Sequence, residues 1–208
     1  MQVYGELPLS IDFMERIKQL TEERTESRAE EVARIRSYLA SQSMRRTPAQ
    51  LVETLQEAQQ QFLTAVATVP DALLRTTPRK GEWSAIDVLL HVRTIAAIDE
   101  SAITAVLERG EKPPDIEDAI VPAPLETTRT ELLADLERLR KQLIAVVLQA
   151  DPETHLNITW SHREFGPMNW REWLLFARVH TLDHARQVQA IAAALGIQGN
   201  GVGHETGH

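Results

Sequence analysis

Apolar residues recur at alternating spacings of three and four in several long stretches of the chain, which is the period of a helix with one buried face. The clearest stretch runs from Asn169 to Leu195. Asn169 and Glu172 form a capping-box pattern at its start, and Gly196 follows its last apolar residue. Similar stripes predict three further helices, at about 48–69, 84–109 and 128–150. The pattern therefore predicts four core helices.

The three other helix starts carry capping signals of the same kind. The paired N-cap and N3 residues (the third residue of the helix) are Thr47 with Gln50, Ser84 with Asp87, and Thr128 with Glu131. Pro48, directly after Thr47, fits the first helical position because its missing N–H is not needed there. These signals fix where each core helix should begin.

Outside the core helices, Ser10 is a candidate cap for an N-terminal helix that runs to about Ser41. Its middle, TEERTESRAEE, is almost wholly charged. This segment fits either a solvated helix with internal ion pairs or an arm that packs on a partner subunit. In the loop before the last helix, residues Leu156 to Trp160 are a candidate short strand.

Four helices with apolar faces predict an all-α protein, a four-helix bundle with an extra N-terminal helix. We divide the chain into an N-terminal helical extension (1–46), the bundle (47–197) and a flexible Gly/His tail (198–208). The two longer connections leave the handedness of the bundle open.

The composition and net charge of the chain exclude some classes of function. The chain has 208 residues, 43% of them hydrophobic and 25% charged, which is typical of a soluble domain with a real core. It contains no Cys, and this excludes disulfides, thiolate metal sites and a cysteine nucleophile. A net charge of −8 argues against general nucleic-acid binding. No membrane-length apolar run and no signal-peptide pattern are seen, so we expect no membrane contact and a cytoplasmic location.

Three histidines stand where core residues are expected. His91 lies in the apolar stripe of the helix at 84–109, and His180 and His184 are one turn apart in the last stripe. His180 and His184, four residues apart, should lie on one helix face and be about 6 Å apart along the helix axis. Three imidazoles in an apolar core each need a polar partner, and one shared metal ion would satisfy three ring nitrogens. A three-histidine site also leaves a coordination position for water or substrate.

Competing interpretations exist for these residues. A single inward histidine is more often a hydrogen-bonded core residue than a ligand. The Glu-x-x-His pattern of di-iron bundles is absent, because Val88, Ala177 and Thr181 stand three residues before the histidines. The chain ends in His204-Glu205-Thr206-Gly207-His208, but zincin motifs of this form require a helix. We interpret that copy as part of the flexible tail.

The segments GEWSAIDVLLHV and FGPMNWREWLLFARVHTLDHARQV resemble the DinB-like superfamily, which includes the YfiT-like proteins. These proteins are four-helix bundles with one His on the second helix and an H-x-x-x-H on the fourth. The resemblance covers roughly 48–197. It implies that His91, His180 and His184 are metal ligands and that Gln187 matches a Gln common three residues after the last ligand.

The resemblance also implies a range of functions. Characterised relatives are thiol-dependent S-transferases and isomerases that use low-molecular-weight thiols, and others are described as metal-dependent hydrolases. A metal-dependent S-transferase is therefore our first hypothesis, with a hydrolase or a non-catalytic metal-binding protein as alternatives. Zn or Ni is the favoured divalent metal and Fe is a further candidate. The resemblance further implies a small-molecule substrate and a homodimer.

Hydrolysis would require a nearby base, and the candidates for residues behind the ligands or in the pocket are Gln187, His162 and Asp87. Asp87 is one turn before His91, although helix capping is the better explanation for it. Asp183 adjoins His184 but points about 100° away, towards solvent. His162 lies in the loop before the last helix and could reach the mouth of the site, or it is an exposed loop residue.

Overall fold

The computed structural model describes residues 27–115 and 123–197, most of which form helix. The five α-helices are α1 (Arg28–Arg45), α2 (Pro48–Thr68), α3 (Ala85–Arg109), α4 (Arg129–Gln149) and α5 (Trp170–Ala194). Two short strands, β1 (Trp160–His162) and β2 (Gly166–Met168), form an antiparallel hairpin before α5. Within these residues, no helix has the length and apolarity needed to cross a bilayer. The all-α fold with an extra N-terminal helix is confirmed.

The bounds of α2 to α5 agree closely with the predicted helices because their starts are set by local hydrogen bonds. All four predicted capping boxes form, at Thr47, Ser84, Thr128 and Asn169. Each satisfies backbone N–H groups of the first turn that have no partner within the helix.

The direction of the helices follows from which residues share each end of the core. At one end Leu51 of α2 and Trp173 of α5 pack with Val106 of α3 and Val147 of α4. The other end joins later residues of α2 and α5 to earlier residues of α3 and α4. Helices α2 and α5 are therefore parallel to each other and antiparallel to α3 and α4, and the connection between α3 and α4 must return along the bundle.

The prediction of one continuous helix from Ser10 to Ser41 is wrong. Ser27 has an extended backbone and forms a capping box with Glu30, so α1 starts after it and runs past Ser41. The Ser-x-x-Glu pattern supplies this start within the charged segment. Residues 1–26 and the predicted tail at 198–208 lie outside the described residues. The break between α1 and α2 falls at the proposed boundary of the extension, whose status as a separate unit stays a prediction.

Helix α1 is not simply solvated, because one of its faces packs against α5. Leu39 is fully buried in the core. The buried guanidinium of Arg171, in the first turn of α5, donates to the carbonyl of Ser43 at 2.9 and 3.1 Å and to the carbonyl of Arg46. The extension is thus joined to the bundle by apolar burial and by hydrogen bonds to its last carbonyls.

The predicted strand Leu156–Trp160 is wrong in extent. Strand β1 starts at Trp160 and pairs with β2, with His162 opposite Gly166. The residues before Trp160 form turns rather than a ladder, because no second strand lies beside them. The hairpin that results carries His162 towards α5.

Candidate metal centre

The three predicted ligands meet between α3 and α5. The Nε2 atom of His180 lies 3.0 Å from Nε2 of His91 and 3.1 Å from Nε2 of His184. The three ligand atoms all lie within 4.8 Å of one another. His184 is 1% exposed and His180 is 8% exposed, while His91 is partly buried. The structure therefore brings together, at one point, the same nitrogen of three side chains from two helices.

This arrangement fits a bound metal ion. Nitrogen ligands of Zn²⁺ lie about 2.0–2.1 Å from the metal, so two ligands of a tetrahedron are about 3.3 Å apart. The observed separations are close to that value. Three imidazole nitrogens that face one point cannot each donate to the others, since a neutral ring carries one proton. A shared cation is the partner that suits all three lone pairs.

Burial keeps His180 and His184 neutral. It is the main cause that lowers the pKa of His180 well below its ordinary value, with further contributions from His184, His91, Arg140 and His162. Burial, followed by the charge of His91, lowers the pKa of His184 to about 3, although the hydrogen bond that His184 donates to Gln187 acts in the opposite direction. Neutral imidazole is the form that binds metals, so both rings are ready to act as ligands at neutral pH.

Gln187 lies directly behind one ligand. Its Oε1 is 2.7 Å from Nδ1 of His184, so Nδ1 carries the ring proton and donates it to the amide oxygen. The Nε2 lone pair of His184 is then directed at the other two histidines. Partners of this kind orient metal ligands and raise their basicity.

Both candidate carboxylates have other partners. The Oδ2 atom of Asp87 accepts from the backbone N–H of Ser84 at 3.0 Å, and its Oδ1 accepts from the backbone N–H of Ala123 at 3.0 Å. Asp87 thus caps α3 and fixes the chain ahead of α4. The expectation that Asp183 faces solvent is wrong: its side chain is 15% exposed and pairs with Arg186 at 3.0 Å.

Aromatic rings flank the three histidines on α3 and α5. The ring of Trp83, just before α3, lies 5.2 Å from that of His91 and is parallel to that of His184 at 6.2 Å. On α5, the ring of Phe176 lies 5.9 Å from that of His180. The contact of Trp83 with two of the three histidines was not predicted from the sequence.

His162 lies near the triad, on the hairpin. Its ring is 4.8 Å from that of Phe176, which in turn contacts His180. The side chain is only partly exposed. The structure thus places this loop histidine close to the metal centre without making it one of the three converging ligands.

A buried ion pair beside the triad escaped the sequence analysis. Asp99 of α3 and Arg140 of α4 are 1% and 2% exposed, with Oδ2 and Nη1 3.7 Å apart. Arg140 Nη2 also lies 3.5 Å from Oγ1 of Thr181, the neighbour of His180. The available signal was the position of Arg140 in the apolar stripe of α4, between Leu136 and Leu143.

Comparison with known proteins agrees with this architecture. A sequence model of the DinB superfamily matches residues 54–188. No curated protein sequence matches the chain. Among solved structures, TT2238, described as a four-helix bundle protein, is similar with a TM-score of 0.54 and 24% identity, over 69% of this chain and 99% of that one.

A second solved structure is YfiT from Bacillus subtilis, described as "a probable metal-dependent hydrolase with an unusual four-helix bundle topology". The TM-score is 0.60 and the identity 16%, over 73% of this chain and 89% of that one. At these identities the two structures show a shared fold. Because the superfamily model matches more than half of the sequence, the chain belongs to the DinB superfamily.

Proposed function

We propose that this protein is a metal-dependent enzyme in which His91, His180 and His184 hold one divalent transition metal, with Zn or Ni favoured and Fe a further candidate. The observation that carries the proposal is the convergence of three histidines in a largely buried setting, where Nε2 of His180 lies 3.0 Å from that of His91 and 3.1 Å from that of His184. Three protein ligands are typical of catalytic zinc sites, which keep a position open for substrate.

A metal in this position supplies a Lewis acid, which favours the ionised form of a thiol or of water. The protein itself contributes orientation and exclusion of solvent. Gln187 holds the His184 ring through Nδ1, and the rings of Trp83 and Phe176 cover neighbouring ligands. A low-dielectric surrounding strengthens electrostatic interactions at the centre.

Transfer of a low-molecular-weight thiol to a small-molecule electrophile is the reaction we favour. A thiolate is itself the nucleophile and needs no carboxylate base beside it. Asp87 and Asp183, which were candidates for that base, are engaged in helix capping and in an ion pair. The chain contains no Cys, so the thiol would be a bound substrate.

Metal-dependent hydrolysis is the second candidate, because the structurally similar YfiT is described as a probable metal-dependent hydrolase. A metal that serves only stability or binding is the third. A homodimer, a cytoplasmic location and the absence of nucleic-acid and membrane partners remain predictions. Thiol dependence of turnover would separate the first two candidates.

The first test is metal analysis of the untagged protein beside His91→Ala, His180→Ala and Gln187→Leu, with circular dichroism on each. We expect about one metal per chain in the wild type and its loss in both histidine variants, while helicity survives. Gln187→Leu should retain metal with an affinity roughly 10–100-fold weaker, since it removes only the support of His184.

Two results would overturn the proposal. Wild-type protein that binds no transition metal, or histidine variants that keep it, would leave the three histidines as packing residues. Loss of helicity together with the metal would indicate a structural rather than a catalytic ion.

A further inference from the structure

The hairpin before α5 determines which nitrogen of His162 carries the proton. Nδ1 of His162 accepts from the backbone N–H groups of Glu164 and Phe165, at 3.1 and 3.3 Å. A ring nitrogen that accepts hydrogen bonds carries no proton of its own, so the neutral ring is protonated at Nε2. His184 has the opposite tautomer, because its Nδ1 donates to Gln187.

The hairpin is held firmly in this position. His162 pairs with Gly166 across the ladder, and Gly166 has a φ of +69°, which turns the chain sharply between the strands. Two arginines of α1 reach the hairpin: Arg28 pairs with Glu164, and Nη2 of Arg36 donates to the carbonyl of Pro167 at 2.9 Å. The imidazole is therefore preorganised rather than free to choose its tautomer.

The ring of His162 also lies in an apolar setting near the ligands. It contacts the rings of Phe165 and Phe176 at 4.7 and 4.8 Å and that of Trp173 at 5.8 Å. Phe176 also contacts the ring of His180, at 5.9 Å, so a single aromatic ring links His162 to the triad. A neutral hydrogen-bond donor in such a setting is worth more than one in water.

We propose that His162 binds substrate as a neutral donor, through Nε2–H, to an oxygen acceptor of the molecule held at the three-histidine centre. This inference rests on the proposed function and extends it, because it assigns the substrate class: a compound with a carbonyl or carboxylate oxygen beside its reacting group. A preorganised donor of this kind stabilises negative charge that develops on such an oxygen.

The tautomer is tested by ¹⁵N NMR of the zinc-loaded protein labelled at histidine, with His162→Phe used to assign the ring. We expect the ring whose signals disappear in the variant to be protonated at Nε2 and not at Nδ1. The metal ligands, bound through Nε2, should show the reverse pattern. A His162 ring protonated at Nδ1, or at both nitrogens at neutral pH, would overturn the proposal.

Binding is tested with acetate as the oxygen-acceptor probe, followed by the visible spectrum of the cobalt(II)-loaded protein. His162→Phe keeps an aromatic ring in the cluster but has no donor, and should weaken acetate binding about tenfold, the value of one good hydrogen bond. His162→Gln retains an N–H donor and should recover part of the loss. Cobalt affinity and helicity should not change in either variant.

The possible failures can be told apart. If the wild type does not bind cobalt, the proposed metal function fails. If cobalt binds but acetate does not perturb its spectrum, or binds equally well to wild type and His162→Phe, the metal centre stands and the role of His162 is wrong.

Discussion

At the residue scale, the centre depends on histidines that stay neutral in the folded protein. His184 has a pKa of about 3 in its buried position, against an ordinary value of 6.5. Its neutral form therefore stabilises the fold relative to the unfolded chain above pH 6.5. That contribution is lost progressively as the pH falls from 6.5 towards 3, because the unfolded chain then binds a proton that the folded protein does not.

This difference predicts a pH dependence for the metal-free protein. Between pH 7.5 and pH 5, the unfolding free energy of the wild type should fall about 2 kcal/mol more than that of His184→Leu, since the unfolded histidine gains a proton over about 1.5 pH units. Urea denaturation at several pH values, with a chelator present, measures this. His184→Gln is the matched control, and it should share the shallower slope if the imidazole is the cause. Parallel curves for all three proteins would contradict the assignment.

At the element scale, capping determines much of what the sequence can predict. Thr47, Ser84, Thr128 and Asn169 each begin a helix where expected, because an N-cap is a local hydrogen bond with a local signature. Helix direction has no such signature, and an apolar stripe fits the core equally well in either orientation. The parallel pairing of α3 with α4 therefore became known only from the structure.

The contrast between local sequence signals and long-range packing also applies to the candidate metal site. The clustering of the three histidines was predictable because they occupy apolar positions at helical spacing and match a known family pattern. Asp99 and Arg140 were missed because charged residues are seldom buried and nothing in the sequence identifies either one as the partner of the other. Only the packing of α3 on α4 brings them together and removes them from water. Burial raises the pKa of Asp99 to about 6, against the attraction of Arg140.

Removal of one partner of this pair should destabilise the packing of α3 on α4. In Arg140→Met, Asp99 becomes an uncompensated buried carboxylate, and we expect a loss of about 3–5 kcal/mol at pH 8. The pKa of Asp99 should then rise further above its unfolded value of 3.8. The penalty exists where Asp99 is ionised, so it should shrink at pH 5, where protonation removes the charge. Urea denaturation of both proteins at the two pH values measures the difference.

The double variant Asp99→Leu/Arg140→Met is the control for that experiment. Replacement of a buried ion pair by apolar residues of similar size is often neutral or stabilising, so the double variant should recover most of the loss. A double variant as unstable as Arg140→Met at pH 8 would show that lost packing, and not the isolated carboxylate, causes the effect.

At the scale of the whole molecule, helix α1 packs on the bundle that carries the three histidines. The superfamily match begins at residue 54, after α1 has ended. Nevertheless Leu39 of α1 is fully buried in the core, and the buried guanidinium of Arg171 donates to the carbonyls of Ser43 and Arg46. The ligands themselves come from α3 and α5, so α1 supports the start of α5 without contributing to the triad.

Truncation tests whether α1 contributes to stability, to metal binding or to both. A chain that lacks residues 1–46 loses the burial of Leu39 and leaves buried N–H donors of Arg171 without carbonyl partners, which together should cost at least about 3 kcal/mol. For a chain of this size we expect Tm to fall by roughly 6–12 °C relative to a chain that starts at residue 27 and keeps α1. Both truncated proteins should still bind about one metal per chain, because α3 and α5 retain all three histidines. Equal Tm values would show that α1 is dispensable for stability, and loss of metal from a helical protein without α1 would show that the extension belongs to the centre.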